Sequence, residues 1–502
     1  MNSMKFMRVV LFTLSVFVIF SCGTDDPCDD FICPTGYVCD NGICVDENPS
    51  PCNGECPEGF SCVNDLCVEN DGMDCGESCP AGFTCVDNEC VSTSAATIVI
   101  SGSITSDVTW SSENFYELAG KVVVENGATL TIEPGTIIKG REGTGSLAAA
   151  LIVARGSKIE ACGTADEPII FTSVLDNIEI GQKVGTNLSE TTNELWGGLI
   201  ILGAAPISAK DGDTEAQIEG IPGDETYGLY GGSDPMDDSG SLCYVSLRHG
   251  GALIGDGNEI NGITLGGVGA GTTINNIEVV ANLDDGVEFF GGTVSATNVI
   301  VTYQGDDAID LDMNYSGTIK NVMVIHGGPD TDEAFEIDGP ENSTHTDGKF
   351  LIQDATAIAI DTEKTSGADF KSKAQGTIEN SVWIGYKSGK HAAVRASFDT
   401  ENVCADKSDA LTNALAGDLV VANCEFVTDG LTAEEMGRVY IDSSADDATE
   451  LQACLDGTDY EAVLDAALVA AGNVVATAAT KGADRTVFED WTWSDLKGFL
   501  NN

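Results

Sequence analysis

Three stretches of the chain repeat one short pattern of acidic and apolar residues, and this repeat limits the possible folds more than any other feature. They begin at Asp284, Asp306 and Asp332, and a second recurring segment precedes each of them. The three preceding segments start with the asparagines Asn276, Asn298 and Asn321, which are 22 and 23 residues apart. Short strands joined by Gly and Asn turns at such a spacing are typical of a solenoid.

The alternation of a β-strand assigns the side chains of each repeat to two faces. We predict that the apolar residues point inward and stack coil on coil: Val287, Phe289, Ile309, Leu311, Phe335 and Ile337. We predict that the acids between them point outward: Glu288, Asp310 and Glu336.

Stacked carboxylates on adjacent coils lie about 4.8 Å apart, the spacing of neighbouring strands. At an effective dielectric constant near 20, two carboxylates ~5 Å apart repel by ~3 kcal/mol. Such a ladder favours partial protonation or a bound cation, and Ca²⁺ prefers oxygen ligands. The predicted cofactor is therefore Ca²⁺, with these candidate ligands: Asp284, Glu288, Asp306, Asp307, Asp310, Asp312, Glu336 and Asp338. The alternative is that Asp-Asp-Gly only forms solenoid turns, because Asp caps a turn and Gly accepts a positive φ.

The charge balance limits the possible partners. The chain has 81 acidic and 23 basic residues, a formal net charge of −58. This charge argues against nucleic acid or anionic lipid headgroups as partners. Cations, uncharged glycans and surface proteins remain as candidate partners.

The N-terminal segment predicts export. Lys5 and Arg8 precede an apolar run over residues 9–20, which ends at Ser21 and Cys22. This segment, 1–21, resembles a lipoprotein signal peptide, and the resemblance implies cleavage before Cys22 and lipidation of that cysteine. An ordinary signal peptide or an uncleaved anchor is the alternative. Residues 23–26 are similar to the acidic stretch of surface-exposed Bacteroidota lipoproteins, which implies an outer-membrane location.

Residues 22–94 form a cysteine-rich segment that we interpret as a stalk. Twelve cysteines fall into three units of four, each with the pattern Cys-Pro-x-Gly-aromatic-x-Cys: Cys28, Cys33, Cys39, Cys44, Cys52, Cys56, Cys62, Cys67, Cys75, Cys79, Cys85 and Cys90. The units resemble EGF-like modules cut short. In an exported chain they predict two disulfides per unit, with zinc as the alternative.

Residues 97–400 carry the solenoid. Four segments, at 122–138, 151–156, 168–172 and 196–201, resemble the coils of right-handed parallel β-helix proteins of the pectin-lyase-like kind. In order, they also resemble a family of Bacteroidota surface lipoproteins. The expected fold class is all-β, a right-handed parallel β-helix with an N-terminal disulfide-rich stalk and a small helical C-terminal cap.

Two segments depart from the coil pattern. Residues 211–241 are rich in Gly, Asp and Pro and predict a long loop that leaves the solenoid. Residues 401–502 contain helical spacing and predict the last coils and a cap, with apolar contacts from Trp491 and Trp493.

The acidic repeats also resemble the active site of polygalacturonase-type glycoside hydrolases, whose order is an Asn-x-Asp element, an Asp pair and a His. The resemblance implies these catalytic candidates: Asp285, Asp306, Asp307 and His326. The chain lacks the Arg-Ile-Lys element of those enzymes, and His326 is followed by two glycines. A polysaccharide lyase is the other enzymatic alternative. Lyases of this fold need a Lys or Arg base beside calcium, and Lys320 and Lys349 are the nearest basic residues in sequence.

Other polar residues predict structural roles. The asparagines Asn276, Asn298 and Asn321, with Asn380 and Asn423 as possible later members, predict a ladder of side-chain amides inside one turn. His249 has no His or Cys neighbour at ligand spacing, which favours a solvent-facing or hydrogen-bonded side chain. Outside the stalk and Cys22, five cysteines remain: Cys162, Cys243, Cys404, Cys424 and Cys454. Their odd number leaves at least one without a partner in this domain, and Cys424 has Cys404 and Cys454 as sequence-local partners.

Together these features favour a lipid-anchored surface protein whose calcium-stabilised β-helix binds an extracellular glycan or another surface partner without turnover. A polysaccharide-degrading enzyme is the second hypothesis. The sequence leaves open whether the chain is an enzyme.

Overall fold

The computed structural model describes residues 95–223, 225–253, 260–327, 331–341, 343–360, 365–387, 394–398, 410–441 and 459–501, with six short strands before residue 95. The chain divides into two compact units, Met1–Ser94 and Ala95–Asn502.

The first unit contains the same antiparallel hairpin three times. Its strands are β1 (Tyr37–Asp40), β2 (Ile43–Asp46), β3 (Phe60–Val63), β4 (Leu66–Glu69), β5 (Phe83–Val86) and β6 (Glu89–Ser92). In each hairpin the third and fourth cysteines of a unit lie directly opposite each other: Cys39 and Cys44, Cys62 and Cys67, and Cys85 and Cys90. The other stalk cysteines and Cys22 lie outside the described residues, as do the side chains of these six. The disulfides of the stalk and the lipidation therefore stay predictions.

The described part of the second unit is a long series of short strands with three α-helices. In chain order the strands are β7 (Thr97–Ile104), β8 (Val108–Trp110), β9 (Phe115–Val124), β10 (Thr129–Ile132), β11 (Ile137–Gly140), β12 (Ala150–Val153), β13 (Lys158–Cys162), β14 (Ile169–Ser173), β15 (Leu199–Leu202), β16 (Glu215–Gln217), β17 (Leu229–Gly231), β18 (Gly240–Arg248), β19 (Ile263–Gly266), β20 (Thr273–Val280), β21 (Val287–Phe290), β22 (Ala296–Thr302), β23 (Ile309–Asp312), β24 (Thr318–His326), β25 (Glu333–Ile337), β26 (Phe350–Ala359), β27 (Ser366–Phe370), β28 (Gly376–Glu379), β29 (Val382–Ile384), β30 (Val394–Phe398), β31 (Leu419–Ala422), β32 (Glu425–Val427), β33 (Gly437–Ile441) and β34 (Val474–Val475). The helices are α1 (Ala410–Ala416), α2 (Tyr460–Ala470) and α3 (Trp493–Leu496).

These strands form three parallel faces, which confirms the predicted parallel β-helix. Sheet A continues from the end of β9 through β12, β15, β19, β21, β23, β25, β27, β30 and β33. Five long strands, β18, β20, β22, β24 and β26, turn a corner and belong to two sheets. Sheet B runs from β8 and β10 through β13 and the first halves of these long strands to β28 and β31. Sheet C takes β11, β14, the second halves of the long strands, β29, β32 and β34. Each coil thus contributes one strand to each face.

Inward apolar side chains stack through the middle of the solenoid. In sheet A, Leu199, Ile263, Val287, Ile309 and Phe335 occupy successive register positions and are buried. This confirms the predicted inward file. Burying one such side chain contributes about 1.5–3 kcal/mol, so the file ties each coil to the next.

An amide ladder forms the corner between sheets B and C, as predicted. Asn276, Asn298 and Asn321 have φ values of 52°, 59° and 59°, a left-handed conformation that Asn tolerates better than most residues. Each amide donates to the one before it: Asn298 Nδ2 to Asn276 Oδ1 at 3.0 Å, and Asn321 Nδ2 to Asn298 Oδ1 at 2.7 Å. Asp354 takes the next position with φ 56°, and the amide of Asn380 donates to it.

The predicted loop leaves the solenoid between β15 and β18, and we call residues 203–239 the excursion. It contains the small antiparallel sheet of β16 and β17. Its buried residues Ile207, Ile218 and Tyr230 pack with Ile200 and Phe290 on the outer face of sheet A. The excursion therefore forms a wall along that face.

The C-terminal residues differ in part from their prediction. Leu464 and Leu468 of α2 join the inner core at the last coils, where a cap is expected. The predicted role of Trp491 and Trp493 in that cap is wrong. Both lie on the outer face of sheet C: Trp491 packs with Ile300 and Met323, and Trp493 packs with Val280 and Ala281.

Residues 476–501 reach this position by running back along the solenoid. Backbone N–H groups of Asp484 and Trp493 donate to Asn321 Oδ1 and Glu278 Oε2, at 2.6 and 2.8 Å. These contacts lead from later coils to earlier ones. The segment covers apolar side chains that would otherwise be exposed on sheet C.

One disulfide joins Cys162 of β13 to Cys243 of β18, which are register partners on adjacent coils. Cys424 is a free, buried thiol. Both sequence-local pairings used Cys424 and are wrong; Cys404 and Cys454 lie outside the described residues. Among the described helices, none has the length and apolarity needed to cross a membrane.

Candidate functional site

The outward residues of sheet A form one continuous file of charged side chains. The register aligns Glu288, Asp310 and Glu336, as predicted from the alternation. The same file then continues through three residues that the sequence argument did not include: Asp369, Arg395 and Arg438. Acids on the earlier coils thus give way to arginines on the later ones.

A second acidic file consists of Asp285 and Asp307, in the turns before β21 and β23, and Glu333, the first residue of β25. Asp285 Oδ1 accepts the backbone N–H of Asp307 at 2.9 Å, and Asp307 Oδ1 accepts that of Glu333 at 2.6 Å. Glu333 Oε1 accepts the hydroxyl of Ser366 at 2.8 Å. Asp285 and Asp307 therefore cap turns between coils, as the turn alternative predicts. The carboxylates of all three acids also lie beside the outward file.

The two files create three groups in which one carboxylate oxygen from each residue lies within 4.8 Å of the others. We call them the upstream cluster (Asp284, Asp285 and Asp306), the central cluster (Asp285, Glu288 and Asp310) and the downstream cluster (Asp307, Glu333 and Glu336). The predicted ligands Asp312 and Asp338 belong to none of the three. Asp285 belongs to two of the clusters, although it was predicted only as a catalytic residue and not as a calcium ligand.

Basic side chains balance the downstream cluster. Arg395 Nη1 lies 2.7 Å from Glu333 Oε1, and its Nη2 lies 3.4 Å from Asp369 Oδ2. Lys371 forms an ion pair with Glu336. Each acid that faces a cation here is at least partly removed from solvent, so removal of one partner would leave a poorly solvated charge and cost more than at an exposed ion pair.

The central cluster has a different set of partners. The amide Nδ2 of Asn261 donates to Glu288 Oε2, while the Oδ1 of Asn261 is buried without a hydrogen-bond partner. Asp310 Oδ1 is also buried without one. In the described part of the chain, no Lys or Arg forms an ion pair with Asp285, Glu288 or Asp310. Three carboxylates therefore converge with a neutral amide and no direct cationic partner.

Burial and mutual repulsion act on these acids. Burial, reinforced by neighbouring carboxylates, raises the pKa of Asp285, Glu288, Asp307 and Asp310 well above the usual carboxyl range. Burial also disfavours ionised Glu333, but the hydrogen bond with Asp307 and the charge of Arg395 outweigh it and lower the pKa of Glu333. At neutral pH the central cluster thus favours a proton or a cation.

The excursion borders the central cluster on the side of the earlier coils. The rings of Tyr230 and Phe290 lie 6.0 Å apart, and the Tyr230 hydroxyl lies 3.2 Å from Met313 Sδ. Ser208 donates its N–H to the Met313 carbonyl at 2.9 Å, and its hydroxyl contacts Ser343 Oγ at 3.1 Å. Two loops therefore meet over sheet A beside the central cluster, in which Asp285 and Glu288 are buried and Asp310 is partly exposed.

The structure gives His326 a place in the core. Its Nε2 lies 3.1 Å from the Glu333 carbonyl and its Nδ1 lies 3.1 Å from the Tyr386 hydroxyl. Burial lowers the pKa of His326 to about 4. Of the catalytic candidates, Asp285 and Asp306 meet in the upstream cluster and Asp307 lies downstream, but both nitrogens of the histidine have intramolecular partners.

His249 is hydrogen-bonded, one of the two alternatives proposed for it. Its Nδ1 lies 2.6 Å from the Thr192 carbonyl, and its ring is fully buried against Trp493. Burial lowers the pKa of His249 to about 4.

The basic residues predicted to lie near the acids do not pair with them. Lys320 pairs with Asp354 at 3.8 Å, and Lys349 pairs with Asp418 at 2.7 Å. Among the described residues, Lys371 and Arg395 form ion pairs with acids of the two files. The sequence does contain a signal for Arg395, because Ala368-Asp369-Phe370 and Val394-Arg395-Ala396 continue the alternation of apolar and charged residues seen in the acidic repeats. The segments between these strands differ in length, so spacing alone does not reveal that Asp369 and Arg395 align with Glu336.

Comparison with known proteins agrees with this architecture. No curated protein and no solved structure matches the chain. A family model described as pectate-lyase like beta helix domain matches residues 102–463, which include all the described strands from β8 to β33 and all three acidic clusters. The chain belongs to the pectate-lyase like beta helix domain family.

Proposed function

We propose that the chain is a lipid-anchored protein of the outer membrane surface whose β-helix binds an extracellular glycan, with Ca²⁺ held by the central cluster. The observation that carries the proposal is the convergence of Asp285, Glu288 and Asp310 without a Lys or Arg ion pair among the described residues. The family fold suits either glycan binding or polysaccharide degradation.

The donor set fits calcium. Ca²⁺ takes 6–8 oxygen ligands and tolerates irregular geometry. Asp285, Glu288 and Asp310 supply carboxylates, and the Asn261 side chain beside them has a buried amide oxygen without a hydrogen-bond partner. With one oxygen from each residue, this set supplies fewer ligands than the 6–8 that Ca²⁺ takes. Hydroxyl or carboxylate oxygens of a glycan can supply the others. Calcium would supply the charge that the acids need in order to remain ionised together.

The setting supports a binding role on the cell surface. The Cys162–Cys243 disulfide is typical of an oxidising compartment. The lipid anchor at Cys22, the Bacteroidota origin and the EGF-like stalk rest on the sequence resemblances. Replacing Cys22 with Ser should release the protein from the membrane fraction, and an unmodified N-terminus elsewhere would contradict the anchor.

The decisive experiment measures glycan binding with and without calcium. The folded protein is applied to an array of neutral and acidic polysaccharides in Ca²⁺ or in EDTA. We expect binding that requires Ca²⁺ and is lost in Asp310→Asn. The matched control is Asp418→Asn, which changes an exposed carboxylate paired with Lys349. Equal binding in EDTA and Ca²⁺ would contradict the proposal.

Degradation is the second candidate, favoured by one observation. Lys371 and Arg395 lie beside acids of the same sheet, where a lyase would need a basic residue. Both cations are engaged in ion pairs, which favours positioning over proton abstraction. Incubation with the same polysaccharides, followed by measurement of new reducing and unsaturated ends, separates the hypotheses. Cleavage that is lost in Lys371→Met but retained in Lys349→Met would establish the enzyme.

A further inference from the structure

An apolar cavity lies at the last coils of the solenoid, beside the helices α1 and α2. Its volume is about 180 Å³. Every described residue that lines it is a glycine or has an apolar side chain. The strands contribute Phe370, Val394 and Leu419, and the helices contribute Ala414, Leu464 and Ala467. The cavity therefore differs in chemistry from the acidic clusters of sheet A.

Small residues leave this space open on one side. Ala414 and Ala467 are only partly buried, and they lie at lining positions that larger apolar side chains could fill. Gly417, which follows α1, is exposed, and a Cβ at this residue would meet no atom within 4 Å. Phe370 and Leu464, in contrast, are buried in the inner core. The cavity thus has its mouth at Gly417 and its inner wall at the core of the solenoid.

The size and lining of the cavity favour an apolar ligand over water. Atoms that line an unfilled space lose packing partners, so an empty cavity destabilises the fold. Water does not offset this loss, because an ordered water needs polar partners. An apolar cavity of about 150 Å³ in another protein stays dry and binds benzene. The cavity beside α1 and α2 has a similar volume, so a group of several carbons fits it.

The apolar surface continues outside the cavity. Leu415 follows Ala414 in α1 and is 42% exposed, while Val463 lies one helical turn before Ala467 in α2 and is 39% exposed. A ligand that fills the cavity and also covers these side chains must be longer than a single ring. We propose that the cavity binds the alkyl chain of a small single-chain amphiphile, with the end of the chain between α1 and α2 and the polar head in solvent.

This site goes beyond the proposed calcium-dependent glycan binding, because it uses none of the clustered acids and needs no metal. Its volume leaves room for one short chain, which favours a free amphiphile over a membrane lipid with two chains. Burial of the chain removes apolar surface from water, both on the ligand and on the lining residues. The hydrophobic effect therefore provides the driving force for binding.

The test titrates the folded protein in EDTA with 1-octanol and with 1,8-octanediol, and calorimetry measures the affinities. The diol has the same chain but a hydroxyl at both ends, so its binding would bury a polar group without a partner. We expect 1-octanol to bind at least about tenfold more tightly than the diol. The melting temperature should rise with the concentration of 1-octanol. Dihexanoylphosphatidylcholine, a soluble two-chain lipid, should not displace the alcohol.

Two variants fill the cavity from different walls. Ala467→Leu on α2 and Ala414→Leu on α1 each extend a side chain into the space that the ligand needs. Either change should weaken the binding of 1-octanol at least about tenfold, because less of the chain is buried. The matched control is Ala466→Leu, which makes the same change at an exposed position of α2 and should leave the affinity unchanged. Melting temperatures establish that the variants fold.

Four results would each overturn the site. They are the absence of saturable 1-octanol binding, equal affinity for the diol, displacement by the two-chain lipid, and an unchanged affinity in a folded Ala467→Leu or Ala414→Leu variant. All of these measurements are made in EDTA and without a glycan. The failure of calcium-dependent glycan binding and the failure of this site are therefore separate outcomes.

Discussion

The central and downstream clusters draw on the same two acidic files but balance their charge in different ways. The central cluster has one acid of the second file and two of the outward file of sheet A, and the downstream cluster has two and one. Downstream, Arg395 and Lys371 neutralise Glu333 and Glu336 from later coils. In the central cluster a neutral amide, Asn261, takes the place of a cation.

The comparison separates what the fold imposes from what the side chains decide. Coil stacking brings carboxylates together wherever acids recur at the same register position, whether or not the result is useful. A repeat that needed only stability could place cations beside its acids, as the downstream cluster does for Glu333 and Glu336. In the central cluster the carboxylates of Asp285, Glu288 and Asp310 repel one another without a paired cation, and this feature points to a ligand.

The largest expected effect comes from breaking the register that both clusters share. Ile309 lies fully buried in the inward file between Val287 and Phe335. Ile309→Asp should cost several kcal/mol, because it buries a carboxylate without a partner. We expect loss of the cooperative melt followed by circular dichroism. Val99→Asp, at a half-exposed position of β7, is the control and should melt near wild type; a normal melt for Ile309→Asp would disprove the register.

The next effect tests whether the arginine stabilises the downstream cluster. Arg395→Met leaves Glu333 and Asp369 buried without their cation and should destabilise the protein by roughly 3 kcal/mol. Asp310→Asn should do the opposite in EDTA, since it removes a like charge and should stabilise by about 1 kcal/mol. Urea unfolding measures both free energies. The same sign for the two variants would remove the distinction between the clusters.

Calcium provides the third test. At a free concentration about 100 times the dissociation constant, binding stabilises the folded state by about 2.7 kcal/mol. Chelation should therefore lower the melting temperature of the wild type, and Asp310→Asn should remove most of the difference. Changing Asp307 as well is less informative, because its carboxylate also accepts the N–H of Glu333. A melting temperature that does not respond to EDTA would leave the central cluster as a turn array.

The sequence was sufficient for those parts of the fold that depend on local alternation. The asparagine spacing gave the ladder of Asn276, Asn298 and Asn321, and the alternation gave the inward file. Both follow from a repeat whose coils are nearly equal in length between residues 276 and 337.

The features that the sequence did not predict depend on contacts between residues that are far apart in the chain. The coils that carry Asp369 and Arg395 are separated by longer segments, so their register with Glu336 is set by strand pairing that spacing alone does not reveal. The position of Trp491 and Trp493 near the end of the chain predicts contacts with the end of the solenoid. The chain instead turns back along sheet C, where Glu278 accepts the N–H groups of Trp493 and Ser494.

The smallest expected effect is a pH dependence that differs between the clusters. In EDTA the folded-state pKa values of Asp285, Glu288 and Asp310 are raised, so these acids contribute stability that is complete below about pH 4 and is lost as the pH rises. Glu333 acts in the opposite sense: its pKa is lowered, so its contribution is present above its unfolded value and is lost as the pH falls.

We expect Asp310→Asn to reduce the loss of stability between about pH 5 and pH 8 by about 1 kcal/mol, the equivalent of less than one pKa unit. Thermal melts in EDTA across this range measure the difference between variant and wild type. General repulsion from the net charge also grows with pH, so Asp418→Asn, which removes one exposed charge, measures that background. If the melting temperatures of Asp310→Asn and Asp418→Asn depended on pH in the same way, the titration would be a property of the whole surface. The central cluster would then favour a cation no more than an exposed acid does.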